Sequence, residues 1–276
     1  LLAGVGVVSA AGPYAATSTD RQKIRVNDPA VAAEIERGGG RLIADYGGFR
    51  LIEANQTALR KHSGPALEAS AEEDTIFLNS RRVDASARPL RTKKTFAGKR
   101  LHLVHFDGPV KPEWAGRLSA AGARIVTYVP NNTYLVYGDA SSLEAIGGQV
   151  QSGGPMLWEG EYTGDDRLQP KAKALQARNG FQPAANDLFA VQLVEDREAN
   201  RATLQLIDAL KVEPAMREQR VLGYVNLIVR LPIDQILSLA GQPDVVSIIP
   251  YAVPTRFCER QDQIARAEAD FRRILL

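Results

Sequence analysis

The side chains able to do chemistry in this sequence are few, and their spacing serves most reactions badly. There are three histidines, His62, His102 and His105, and one cysteine, Cys258. His102 and His105 fall three apart in the strand-like run RLHLVHFD of residues 100–107, which sends them to opposite faces because side chains alternate along a strand. His62 stands in a separate helical stretch. With no second ligand near any of them, satisfied or exposed histidines are expected, not a metal site, and a Ser-His-Asp triad has little to be built from. Cys258 alone provides neither a disulfide framework nor a cysteine zinc site, and it reads as incidental. The carboxylate clusters Glu72-Glu73-Asp74 and Asp165-Asp166 lie in loop-like segments and read as solvated charge. Gly38-Gly39-Gly40 follows a helix instead of opening one. Gly147-Gly148 and Gly153-Gly154 lack the strand before and the Lys-Ser/Thr after that a phosphate loop needs, so no cofactor is expected.

Nucleic acid is an equally poor fit. Phe106, Tyr134 and Tyr137 sit on strands that stack bases in RNA-recognition modules, but the glycine-aromatic signature of that role is missing and the rings read as core. Lys and Arg (34) nearly balance Asp and Glu (32), and a formal charge of +2 is too small for a broad phosphate footprint. With 45% hydrophobic and 24% charged residues the chain has globular composition, and 276 residues exceed the roughly 250 at which single cores stop growing. Leu1 to Ala10 (LLAGVGVVSA) resembles the end of a signal peptide's apolar core meeting its cleavage site, so export to a secreted or periplasmic location is expected. The run is too short to cross a bilayer and no other stretch could, so no stable membrane insertion is expected. The sequons Asn55-Gln56-Thr57 and Asn131-Asn132-Thr133 matter only where exported proteins are glycosylated.

The elements that would position these residues repeat. Residues 100–107 alternate as a strand and Gly108-Pro109 breaks it; 111–121 is a helix with Trp114, Leu118 and Ala121 on one face, closed by Gly122. Residues 123–129 and 133–137 form a hairpin across Pro130-Asn131-Asn132, a short helix capped by Asp139 or Ser141 follows over 142–146, and 156–162 (MLWEGEY) is a fourth strand. The same βαββαβ order returns as a strand at 187–194, a helix at 197–210, a hairpin of 220–224 and 226–230, a helix opened by Pro232 and ended by Gly241, and a strand at 245–251. A partial third copy precedes them: an opening strand at 22–26 or none, a helix at 29–37, a hairpin of 41–46 and 49–53, a short helix at 55–61 and a last strand at Thr75–Asn79. The organisation is therefore 1–20 a signal-peptide remnant or tail, 21–92 a partial leader unit, 93–167 a first full unit, 168–186 a linker rich in Gln, Ala, Lys and Pro, 187–254 a second full unit, and 255–276 a C-terminal tail. Two helices per unit must cover one face of a four-stranded antiparallel sheet, which makes the fold α+β, tandem ferredoxin-like sandwiches. That fold serves many unrelated functions.

The run LHLVHFDGPVKPEW at 101–114 and GARIVTYVPNNTYLV at 122–136 resembles the N-terminal prodomain of exported bacterial subtilisin-like serine peptidases of the fervidolysin type. Trp158-Glu159-Gly160-Glu161-Tyr162 matches a Trp-x-Gly-x-Tyr strand of that family, and RLIADYG at 41–47 with Phe77-Leu78-Asn79 fits its leader part. The resemblance covers roughly residues 28–264 and is most specific over 106–130. It implies an intramolecular chaperone and inhibitor whose sheet packs on surface helices of the catalytic domain and whose exiting strand lies in the substrate cleft. The partner it implies is the catalytic domain of a subtilisin-like protease, in cis or in trans. By that resemblance the cleft-binding tail is Tyr251, Ala252, Val253, Pro254, Thr255 and Arg256.

The chain also departs from such proteases. After residues 259–264 a catalytic domain should begin, yet a helix-like ARAEADFRRILL follows, and no Asp-Ser/Thr-Gly, His-Gly-Thr-His or Gly-Thr-Ser-Met motif is present. The chain is therefore expected not to hydrolyse peptides, whether it is a fragment, a frameshifted product or a protein acting in trans. Two other classes fit the repeats: a non-enzymatic interaction module of tandem ferredoxin-like domains, and a small-molecule sensor.

Overall fold

Alternating strands with one apolar side must find a cover for that side, and three times in succession this chain supplies it with two helices. The computed structural model describes residues 21–60, 62, 67–69, 73–87, 93–179 and 186–252. The first unit runs β1 (Arg21–Val26), α1 (Pro29–Arg37), β2 (Arg41–Asp45), β3 (Arg50–Asn55), α2 (Gln56–Leu59) and β4 (Leu67–Ala69). A separate hairpin follows, β5 (Thr75–Phe77) and β6 (Arg82–Asp84). The middle unit is β7 (Lys99–Phe106), α3 (Pro112–Ala120), β8 (Arg124–Val129), β9 (Thr133–Asp139), α4 (Ala140–Gln151) and β10 (Met156–Glu161). Two connecting helices, α5 (Gly164–Arg167) and α6 (Pro170–Asn179), lead to the C-terminal unit: β11 (Asn186–Val194), α7 (Arg197–Leu210), β12 (Arg217–Val221), β13 (Tyr224–Pro232), α8 (Ile236–Ala240) and β14 (Val245–Pro250).

Each unit's sheet has its second, third, first and fourth strands side by side, all antiparallel, as tandem ferredoxin-like sandwiches require. Aspartates open the helices: Asp28, Asp139 and Asp196 each accept backbone N–H bonds from the first turn of α1, α4 and α7. The helix-side cores are Ile24, Ile35 and Ile52 in the first unit, Phe106, Trp114 and Leu118 in the middle unit, and Phe189, Ile207 and Val229 in the C-terminal unit.

Two sequence expectations change. The first copy is complete, because Leu67–Ala69 pairs with β1 and closes its sheet. Thr75–Asn79 is not that closing strand: Thr75–Phe77 pairs with Arg82–Asp84, and its inward Ile76 is buried against Leu101, Leu103 and Leu135 of the middle unit. The segment expected as a linker also takes structure. Leu168 bridges to Ile248, and Leu168 and Ala172 are buried in the C-terminal core, so α6 packs on that unit. The expected signal-peptide stretch and the helix-like 265–276 lie outside the described residues.

Candidate functional site

The tail implied by resemblance starts where β14 ends. Tyr251 donates its backbone N–H to Leu188 O at 2.7 Å, which carries the chain one residue further along β11. Tyr251 is half-buried and Ala252 exposed; Val253, Pro254, Thr255 and Arg256 lie outside the described residues. Beside this exit is the outer face of the C-terminal sheet. Ala190 and Gln192 of β11, Asn226 and Ile228 of β13, and Ser247 and Ile249 of β14 line a shallow depression of about 280 Å³. Their alternates point the other way, into the helix-covered core. Gln192 donates to Asn226 Oδ1 at 3.0 Å, and beside this pair Ile228 and Ile249, the latter 41% exposed, stand as apolar contact points. At the other end of this face Val194, Val246 and Tyr224 pack on the middle unit, and the depression beside the tail stays open. It offers shape and apolar contact, not a nucleophile.

The equivalent face of the middle sheet is closed. Leu101, Leu103, Leu135 and Tyr137 are covered by Ile76 and Ala85 of the hairpin segment and by Val194 and Val246 of the C-terminal unit. Tyr162 fastens this joint, its hydroxyl donating to Asp166 O at 3.0 Å and Val246 O at 3.2 Å; burial, with the Asp166 charge, pushes its phenol up to about 12. Asp166, expected to be solvated, is buried. It takes a two-pronged bond from Arg81 at 2.7 and 2.8 Å and closes a capping box with Thr163. Burial favours its neutral form, but Arg81 and Thr163 outweigh that and hold the carboxyl at about 2. Only Asp165 meets the sequence expectation, lying exposed beside Lys173.

Of the other acidic cluster, Glu72 lies outside the described residues, and Glu73 and Asp74 are corrected in the same way. Glu73 is buried and Asp74 half-buried at the joint between the first and middle units. Arg25 pairs with Glu73 at 2.5 Å, while buried Lys23 pairs with Asp74 and, at 2.6 Å, with Asp107. Arg41 reaches Asp107 at 2.9 Å. Burial pulls Lys23 down, yet the two aspartates overcome this and raise its pKa; Asp74, pushed up by burial, is held below its ordinary value by His105 and Lys23. Gly108 touches the first unit here: its φ is +148°, and any Cβ would overlap Leu51.

The histidines lie on opposite sides of β7, as the spacing predicts. Buried His102 bonds through Nε2 to Glu159, which also accepts both prongs from Lys94 Nζ at 2.9 and 3.0 Å. Buried His105 meets Thr133 Oγ1 at 2.9 Å through Nδ1, and its Nε2 lies 3.7 Å from Asp74. The Thr133 hydroxyl is fully buried and donates to Asn131 O, so no substrate reaches that pair. Phe106 stacks on Trp114 beneath the helices, and Tyr137 is buried on the far face. Among the described residues no group of three or more His, Cys, Asp and Glu could hold a metal ion, and no helix is long and apolar enough to cross a membrane.

Sequence reasoning missed the ionic joint and the open face. The joint unites residues from distant segments, so no local pattern reveals it. The open face had a readable signal in the polar Gln192, Asn226 and Ser247 interrupting otherwise apolar strands. A family described as Domain of unknown function (DUF8729) matches residues 77–157, from the end of β5 into β10. No curated protein matches the chain.

Proposed function

We propose that this chain is a propeptide-type inhibitor and folding chaperone of an exported subtilisin-like serine peptidase, with no catalytic residues of its own. One observation carries the reading beyond resemblance: the open outer face of the C-terminal sheet runs directly to the exit of the tail at Tyr251-Ala252. A prodomain of the resembled type needs that pair, a sheet face to rest on surface helices of the protease and an adjoining strand to enter its cleft. The middle sheet is filled by the chain itself, whereas the C-terminal sheet keeps an open depression beside the tail. A module that binds only the folded protease stabilises it, by about 2.7 kcal/mol at a hundredfold excess over Kd. An extended tail beside the cleft gains affinity from backbone hydrogen bonds.

The test is inhibition of a panel of subtilisin-like proteases by the whole chain and by a truncation ending at Pro250. Slow, tight inhibition that weakens on truncation supports the reading and assigns inhibition to the tail from Tyr251 onward. Absence of inhibition, with no rescue of refolding of a denatured protease, overturns it in favour of a general interaction module.

A further inference from the structure

Strand β12 forms the edge of the C-terminal sheet opposite β14. Of the eight large apolar side chains exposed among the described residues, four, Val212, Met216, Val221 and Leu222, cluster on or beside it. Leu222 is the most unusual of them. It is 89% exposed, and with Gly223 it forms a two-residue turn in which both residues have positive φ, 51° and 78°. Asn-Gly is the favoured pair for such a turn, and an L-residue with a large side chain is disfavoured in this region by contact of its Cβ with the backbone. A bulky apolar residue kept in a strained and fully exposed position marks a contact site.

We propose that β12 pairs with β12 of a second copy of this chain, antiparallel about a two-fold axis at Gln219. The occupant is chosen by reciprocity in the sequence. Centred on Gln219, this register sets Glu218 opposite Arg220 of the other copy and Met216 opposite Leu222, each pair occurring twice by symmetry. Glu218 and Arg220 are half-exposed, and the contacts Arg220 makes within one chain are long and solvent-exposed, 3.6 Å to Glu195 and 3.7 Å to Glu218, so both side chains can turn to a partner. Arg217 and Gln219 line the outer-face depression. Alternation therefore puts Glu218 and Arg220 together on the opposite side, clear of the face assigned above to the protease. Pairing removes an unprotected edge and makes one eight-stranded sheet with both outer faces on the same side and both tails at its far ends. The inference stands independently of the prodomain reading.

Sedimentation equilibrium of the whole chain should show a monomer–dimer equilibrium. Glu218→Arg and Arg220→Glu should each raise the dimer dissociation constant about tenfold or more, because each sets like charges opposite one another. Mixed in equal amounts they should restore the dimer as a heterodimer, since the first variant then presents two arginines to the two glutamates of the second. Leu222→Asn should weaken the dimer while raising Tm by relieving the turn, which separates association from folding. A wild-type chain that stays monomeric at the highest attainable concentration, a dimer indifferent to the single reversals, or a mixture that remains monomeric would each overturn the proposal.

Discussion

The middle and C-terminal sheets share one topology and differ in what their outer faces carry. Strand β7 is buried at six successive positions from Leu101 to Phe106, as a strand enclosed on both sides must be, whereas β13 alternates half-buried with buried along its whole length. The middle sheet's outer face is leucine and tyrosine, and the chain supplies its own cover from the hairpin and from the neighbouring unit. The C-terminal face mixes Gln192, Asn226 and Ser247 with Ile228 and Ile249, a composition that tolerates water yet keeps apolar contact points. Outer-face composition, and not strand order, thus separates a structural spacer from a surface open to a partner. The family match runs from the last residue of β5 through β6 and most of the middle unit, which agrees with β6 belonging with the sheet its hairpin covers.

The contrast can be broken by substitution. Lys23→Met leaves Asp74 and Asp107 at the enclosed joint without their shared cation and should cost about 4 kcal/mol in urea unfolding; a cost below about 1 kcal/mol would mean that water already screens the cluster. Leu135→Ala, on the covered face, should cost about 3 kcal/mol by cavity formation and speed amide exchange at Phe77, whose N–H bonds to Pro130 O across the hairpin contact. Acid should act next. Asp166 and Asp74 are held below the ordinary value of 3.8 in the folded chain, so their stabilisation is present above that value and lost as pH falls through their lowered values, about 2 for Asp166; urea midpoints measured on acidification should drop, and less so in Asp166→Asn. Ile249→Ser, on the open face, should change stability by no more than about 0.5 kcal/mol while weakening inhibition in the assay proposed above. Loss of stability there comparable to Leu135→Ala would show that the face is covered after all.

Much of this architecture was legible from periodicity. The βαββαβ order of both full units, the buried face of Trp114 and Leu118, and the opposed histidines all follow from spacing that a single strand or helix enforces. What escaped depends on contacts between units. Thr75–Phe77 reads correctly as a strand but says nothing of its sheet, while the short Leu67–Ala69 carries too few β-branched residues to stand out as the true closing strand. Helix α6 lacks an apolar stripe because it buries little beyond Ala172, so its composition looks like linker. Glu73 and Asp166 look solvated until Arg25 and Arg81, 48 and 85 residues away, are brought to them. Of the tail, resemblance alone named six residues, and Tyr251 and Ala252 are the two whose surroundings are described.

The ionic joint also gives the molecule a thermal character. Hydration of charged groups becomes less favourable on heating, so the cost of enclosing Lys23, Asp74 and Asp107 falls as temperature rises, while apolar contacts such as Val194 and Val246 against Leu135 weaken on cooling. Both joints therefore weaken on chilling, and warming strengthens the joint to the first unit by lowering the cost of its enclosed charges.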